Sequence, residues 1–299
     1  MTAPRQVLPG TTYLVTRRCS ECRFFLRPSA ITNQIFLYVL ALAARRYQVE
    51  VHAACVLSNH YHLLVTDARA QLPAFVQYLD ALVARATNAA LGRWEGFWAS
   101  SVSFSAVSNT STEDVIRKAA YVLANPVAAG LVQHGRDWPG VRTAIEQLGS
   151  ATVAAKRPSG FFSATGDLPE SVELEWTPPP GFASGRDFRD AVAAETRALE
   201  DETRRAFASQ GRKFLGRTRV LRQSPFSRPA AIEPRRKLNP RVAAFDKWKR
   251  IEALSKLVRF VREYRTALRS LKAGVRDVVF PAGTYLMRVA YGVPCAVCD

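Results

Sequence analysis

Two histidines one residue apart, His60 and His62 in the run Ser58-Asn59-His60-Tyr61-His62-Leu63-Leu64-Val65, are the side chains of this sequence best suited to chemistry. On a strand, residues two apart leave the same face, so both imidazoles point together. A pair of imidazoles makes half of a site for a divalent metal ion, which needs at least one more ligand. The same spacing also suits two partly exposed polar residues on the open face of a one-sided sheet. A helix able to add a ligand follows at 114–125, where Val115, Ala119 and Val122 form an inward stripe. Lys118, Tyr121 and Asn125 share its neighbouring face at i, i+3 and i+7. A carboxamide oxygen such as that of Asn125 can ligate a hard metal. The Tyr121 phenol, with a pKa of about 10, attacks phosphorus poorly unless positive charge stands beside it. A metal on the phosphate and Lys118 near the oxygen would supply that charge. Tyr121 also reads as a rim tyrosine packed over a sheet.

The elements that must position these residues are legible in the first 125 positions. Thr11–Arg18 (TTYLVTRR) alternates like a strand, and Pro28-Ser29 opens a helical stretch to about Arg46 with Ile31, Ile35, Val39 and Leu42 on one face. Tyr47–Leu57 and His60–Thr66 are β-rich runs joined by the turn pair Ser58-Asn59. Helical periodicity returns from Leu72 to about Leu91, and Phe97–Val107 is a further strand candidate. The order strand, helix, strand, strand, helix, strand predicts an α+β fold, a ferredoxin-like antiparallel sheet with helices on one face. The third helix begins at Thr110-Ser111-Thr112-Glu113, which has capping-box spacing, and is expected to end near Asn125 ahead of Pro126.

Beyond 150 the texture changes. Residues 156–186, with GFFSATGDLP and WTPPPG, read as a linker or irregular arm. Phe188–Phe207 reads as a charged helix, Gly211–Arg241 as a broken basic segment, and Phe245–Leu271 as a helix with Phe245, Trp248, Ile251, Leu254 and Val258 at helical spacing. FPAGTYLMRVAYGV has strand-like character and could return to pack on the N-terminal part. We therefore expect a catalytic domain at 1–150 and a basic, mainly helical accessory region at 151–299.

With 299 residues, 48% of them hydrophobic, the chain can bury a large core and is neither collagenous nor wholly disordered. No apolar run reaches the roughly 18 residues of a membrane span, so no membrane partner is expected. The start MTAPRQVLPG lacks a hydrophobic signal core and the five cysteines make no disulfide framework, which suits a reducing, cytoplasmic and nucleoid-associated setting. The net charge of +17 is uneven: residues 203–276 hold 22 Lys+Arg against 4 Asp+Glu. Such a block makes nucleic acid the default partner.

Taken together, LSNHYHLLV, GRWEGFW and YVLANPVAAGLV, in that order, resemble the REP-associated tyrosine transposases, a branch of the single-tyrosine HUH transposases; TYLVTRR and the WPG after GRD fit as well. The resemblance covers about residues 10–145. It implies Mg2+ or Mn2+ held by His60 and His62, Tyr121 as nucleophile, and Asn125 at the position that often supplies the third ligand. It further implies cleavage of single-stranded DNA at hairpin-forming palindromic repeats, through a 5′-phosphotyrosine and a free 3′-OH. Lys118 is the supporting cation. Arg17, Arg212, Lys213, Arg217, Arg235, Arg236 and Lys237 are candidate phosphate contacts, and Trp94, Phe97 and Trp98 are candidates to stack bases. A basic arm favours a monomer over a homodimer.

Two rivals share the sequence. One is a catalytically silent DNA- or RNA-binding regulator on the same fold; the other is a metallophosphoesterase with no covalent step. The pairs Cys19/Cys22 and Cys295/Cys298 are each CxxC, but their places at opposite ends of the chain argue against a shared structural zinc.

Overall fold

In the computed structural model the described residues are 4–99, 104–163, 165–230 and 240–297. The elements run β1 (Thr11–Arg18), α1 (Ala30–Tyr47), β2 (Val49–Val56), β3 (His60–Asp67), α2 (Leu72–Ala90), β4 (Ser105–Asn109) and α3 (Thr112–Ala128). They continue with β5 (Thr152–Lys156), β6 (Ser171–Glu175), α4 (Gly185–Ser209), α5 (Arg217–Arg222), β7 (Val242–Ala243), α6 (Lys247–Lys272) and α7 (Leu286–Tyr291). The main sheet has the order β2-β3-β1-β4-β7, and its first four strands are antiparallel to their neighbours. This is the expected ferredoxin-like order. The fifth strand comes from the basic region: β7 runs parallel to β4, pairing Ser108 with Val242.

Helices cover both faces of the sheet, not one. Tyr13, Val15, Tyr61, Leu63 and Val65 pack against α1 and α2 on the first face. Leu14, Ala53, Cys55, Leu57 and Leu64 pack against α3, α4 and α5 on the second. The reason is in the central strands, where β2 and β3 are buried at nearly every position and so cannot leave a face to water. Loss of alternation in Ala53-Ala54-Cys55-Val56-Leu57 is the sequence mark of that two-sided burial.

Three local expectations are corrected. The strand placed at Phe97–Val107 is β4 at Ser105–Asn109; Phe97 is instead drawn into the core against Phe25, with ring centroids 5.4 Å apart, and positions 100–103 lie outside the described residues. Helix α3 runs three residues past Asn125 and carries Pro126 in its last turn, at the loss of the bond a backbone N–H there would make to Val122 O. Its start is capped by Ser111, which accepts from Asp114 N, while the Asp114 carboxylate accepts from the Thr110 and Ser111 hydroxyls.

The stretch read as a linker contains β6, which pairs with β5 just before it; Ala155, Val172 and Leu174 of the pair join the core beside α1. The C-terminal return does pack back, with Val7 N donating to Gly283 O, but its Leu286–Tyr291 is helix, not strand. In the WPG turn the Trp138 indole donates to Val56 O at 3.0 Å. A side chain at Gly140 would meet that indole at 2.5 Å, so only glycine lets the chain pass. No helix among the described residues is long and apolar enough to cross a membrane.

Candidate active site

Strand β3 delivers both imidazoles to the face covered by α3. The ring centroids of His60 and His62 are 4.8 Å apart, and the Tyr121 ring from α3 stands edge-on to His62 at 5.2 Å. These three side chains are therefore brought together. Tyr121 is 41% exposed, and its ring packs on the histidine. Asn125 lies one turn further along α3 and is buried; Lys118 lies one turn earlier and is half-buried.

Each imidazole is oriented through its Nδ1. Nδ1 of His62 bonds Thr16 Oγ1 at 2.7 Å, and Nδ1 of His60 bonds Asn59 Oδ1 at 2.7 Å. The Asn59 amide is fixed in turn, because its Nδ2 donates to Cys22 O. An amide oxygen only accepts, so His60 carries its proton on Nδ1 and leaves the Nε2 lone pair open. His62 Nε2 is buried with no hydrogen-bond partner. Two neutral rings anchored at Nδ1, one with an orphaned Nε2, fit a divalent cation, and anchoring of this kind is what orients metal-binding histidines. No group of three or more His, Cys, Asp or Glu converges here or elsewhere among the described residues, so further ligands to a cation here would come from other donors.

Burial dominates the electrostatics. It pushes His60 down to about 3, with Arg18 adding to the effect, and pushes His62 well below its usual range, with His60 and then Arg18 adding. Burial also lowers His52 to about 4 where it bonds Thr66 Oγ1. All three rings are neutral in the fold but take protons near 6.5 when unfolded, so their contribution is complete above pH 6.5 and lost as pH falls from there toward 3. The melting temperature should accordingly drop steadily as the pH is lowered from 7 to 4. A flat profile across that range would contradict the assigned burial.

Beneath the pair, on the opposite face of β3, Tyr61 donates to Asp80 Oδ1 at 2.7 Å, and the other Asp80 oxygen pairs with Arg17 at 3.2 Å. Arg17 therefore points into the core, and its neighbour Arg18, opposite His60 in the β1–β3 register, is the exposed cation near the site. Sequence reasoning missed Thr16 and Arg18, because only strand register identifies them. Asn59 was visible in the motif but passed as a turn residue.

The basic arm reaches the same end of the molecule. Leu215 and Gly216 hydrogen-bond to Gly130 and Leu131 just past α3, and Phe24 N donates to Ser227 O beside the Cys22 carbonyl that holds Asn59. Arg212, Lys213 and Arg217 are exposed along it; Arg235, Arg236 and Lys237 lie outside the described residues. Where the arm ends, a cleft of about 510 Å3 opens between Ser20, Arg23, Phe25, Arg93, Trp94 and Phe226. Of the candidate stacking aromatics, Trp94 is 90% exposed, whereas Phe97 is buried and Trp98 donates to Asp80 O. Cys19 and Cys22 sit at the Arg18 end of β1 and Cys295 bonds Thr284 O near its Thr11 end; Cys298 lies outside the described residues.

No family model matches the chain, and no curated protein matches it. Among solved structures, it is similar to a REP-associated tyrosine transposase bound to a REP hairpin, with 20% identity over 49% of this chain and 84% of that one, at a TM-score of 0.42. It is also similar to a candidate transposase from Deinococcus radiodurans R1, with 20% identity over 36% of this chain and 85% of that one, at a TM-score of 0.28.

Proposed function

We propose that the protein is a metal-dependent single-stranded DNA strand-transferase, a transposase-type enzyme that cleaves beside hairpin-forming repeats. The observation that carries this reading is the convergence of a partly exposed tyrosine with two neutral, Nδ1-anchored histidines on one face of the sheet. His60 and His62, through their Nε2 atoms, with Asn125 the candidate for a further ligand, would hold Mg2+ or Mn2+, which would supply Lewis-acid stabilisation of charge on the scissile phosphate. In the reaction the Tyr121 phenolic oxygen attacks phosphorus and gives up its proton. The Tyr–O–P bond forms as the P–O3′ bond breaks, and the leaving O3′ takes a proton. The product is a 5′-phosphotyrosine and a free 3′-OH, with the ester's energy kept for resealing by another 3′-OH. Lys118, one turn from Tyr121, offsets the negative charge that gathers on the phenolic oxygen.

On this reading residues 1–150 carry the chemistry, and the basic arm of 151–299 grips the DNA in a monomer. Trp94 and Phe226 offer ring faces for unpaired bases at the arm's end. Incubation with hairpin-bearing single-stranded DNA and Mn2+ should give a protein–DNA adduct that survives denaturing electrophoresis. Binding with no adduct and no cleavage would favour the silent regulator, and cleavage with no adduct the phosphoesterase.

Two further outcomes follow. Thr16→Val removes the partner of His62 Nδ1 and should weaken Mn2+ binding by about 10- to 100-fold, measured by calorimetry; unchanged affinity would remove His62 from the metal site. Replacing Arg212, Lys213 and Arg217 together by Gln should flatten the slope of log K against log salt by about 2 to 3, at roughly 0.7–0.9 for each phosphate no longer neutralised. An unchanged slope would place the grip elsewhere.

A further inference from the structure

The N-terminal half of α6 leaves an apolar seam in water. Trp248, Ile251, Leu254 and Val258 are 73%, 42%, 44% and 68% exposed. Ile251, Leu254 and Val258 line a shallow groove of about 380 Å3 together with Ser255, Arg259 and Arg262 of the same helix. The C-terminal half of the same helix is different: Tyr264, Ala267, Leu268 and Leu271 pack with Phe280 and Met287. The helix start is tied down too, since Phe245 N donates to Asp114 Oδ1 at 2.7 Å and the Arg117 guanidinium lies 3.6 Å over the Phe245 ring. A firmly anchored helix therefore presents about three turns of exposed apolar side chains. Contiguous apolar surface of this kind, rimmed by charge, marks an interaction site.

Charge selects the occupant. Residues 247–265 carry seven Lys+Arg against two Glu. A second copy laid along the seam would bring two such rims together, and like charges so placed are repulsive. Arg259 and Arg262 line the groove itself, so charge is set among the apolar side chains and not on the opposite face, as it is in a helix lying in a membrane surface. A helix of complementary pattern meets neither objection, because its apolar stripe fills the groove and its acidic flanks face the arginines. We infer that the exposed face of α6 is a docking site for an acidic amphipathic helix of another protein. This inference is independent of the chemistry at Tyr121.

The test uses the full chain and two designed 18-residue peptides with the same Leu/Ile stripe at i, i+3, i+4 and i+7. One is flanked by Glu and the other by Lys. By fluorescence anisotropy the Glu peptide should bind at least about tenfold more tightly than the Lys peptide. Ile251→Ser with Val258→Ser should weaken it by about tenfold or more, without changing the circular dichroism. Equal binding of the two peptides, or no binding, overturns the proposal. So does a double variant that binds the Glu peptide as wild type does. A concentration-dependent dimer that the double variant abolishes would assign the seam to a second copy instead, and loss of binding to phosphatidylserine vesicles or to hairpin DNA would assign it to those surfaces.

Discussion

Tyr121→Phe should abolish the covalent protein–DNA adduct while leaving the folded protein and its DNA affinity intact. The substitution removes one oxygen from a ring whose packing against His62, with centroids 5.2 Å apart, does not depend on that oxygen. Tyr121 is 41% exposed, so no deeply buried cavity is created. The proposed phosphorus–oxygen bond, by contrast, has no other atom to form from. Loss of a nucleophile lowers turnover by roughly 10^6-fold, which is below detection in a gel assay. The informative comparison is between adduct and cleavage. A variant that still nicks hairpin-bearing DNA without an adduct would show that water, not the phenol, attacks, and the strand-transfer reading would fall to hydrolysis. A variant that still forms the adduct would move the nucleophile to another residue.

The resemblance of three short motifs and the alternation of the first strands make the sheet and the His–Tyr cluster legible in the sequence. That legibility has a physical basis. β1, β3 and the first three helices are local, periodic elements, and the histidines and Tyr121 project from them at fixed intervals. What is not legible depends on contacts distant in sequence. The Thr16–His62 bond spans 46 positions and exists only through the β1–β3 register. β7 gains its pairing from β4, more than a hundred residues earlier, and two residues have no periodicity to read. Arg17 illustrates the same limit: as a cation in a basic chain it suggests phosphate, yet strand parity turns it to the face where Asp80 waits. The apolar positions of α6 follow a helical stripe that normally signals a core, and the structure leaves half of that stripe in water.

That Asp80 network carries the largest expected loss of stability. At pH 7 and above, Asp80→Ala should cost about 3–5 kcal/mol, because it strips the ionised counter-charge from a buried guanidinium. It also removes the acceptor of the Tyr61 phenol, whose ring is fully buried directly between the two histidines in sequence. Chemical denaturation should show the drop as a lower midpoint with an unchanged slope. Asp80→Asn separates the two contributions, since an amide oxygen still accepts from Tyr61 but offers Arg17 no charge. Burial raises Asp80 to about 7, ahead of the opposing effects of Tyr61 and Arg17. A carboxyl raised in the fold and near 3.9 when unfolded contributes most at low pH and loses that contribution as pH rises from about 4 to 7. The stability gap between wild type and Asp80→Asn should therefore narrow over that range. The histidines cancel from this difference, being common to both proteins. A gap that widens with pH would mean that Arg17 keeps Asp80 ionised, and that the strand under the histidines is held by an ion pair instead of a protonated carboxyl.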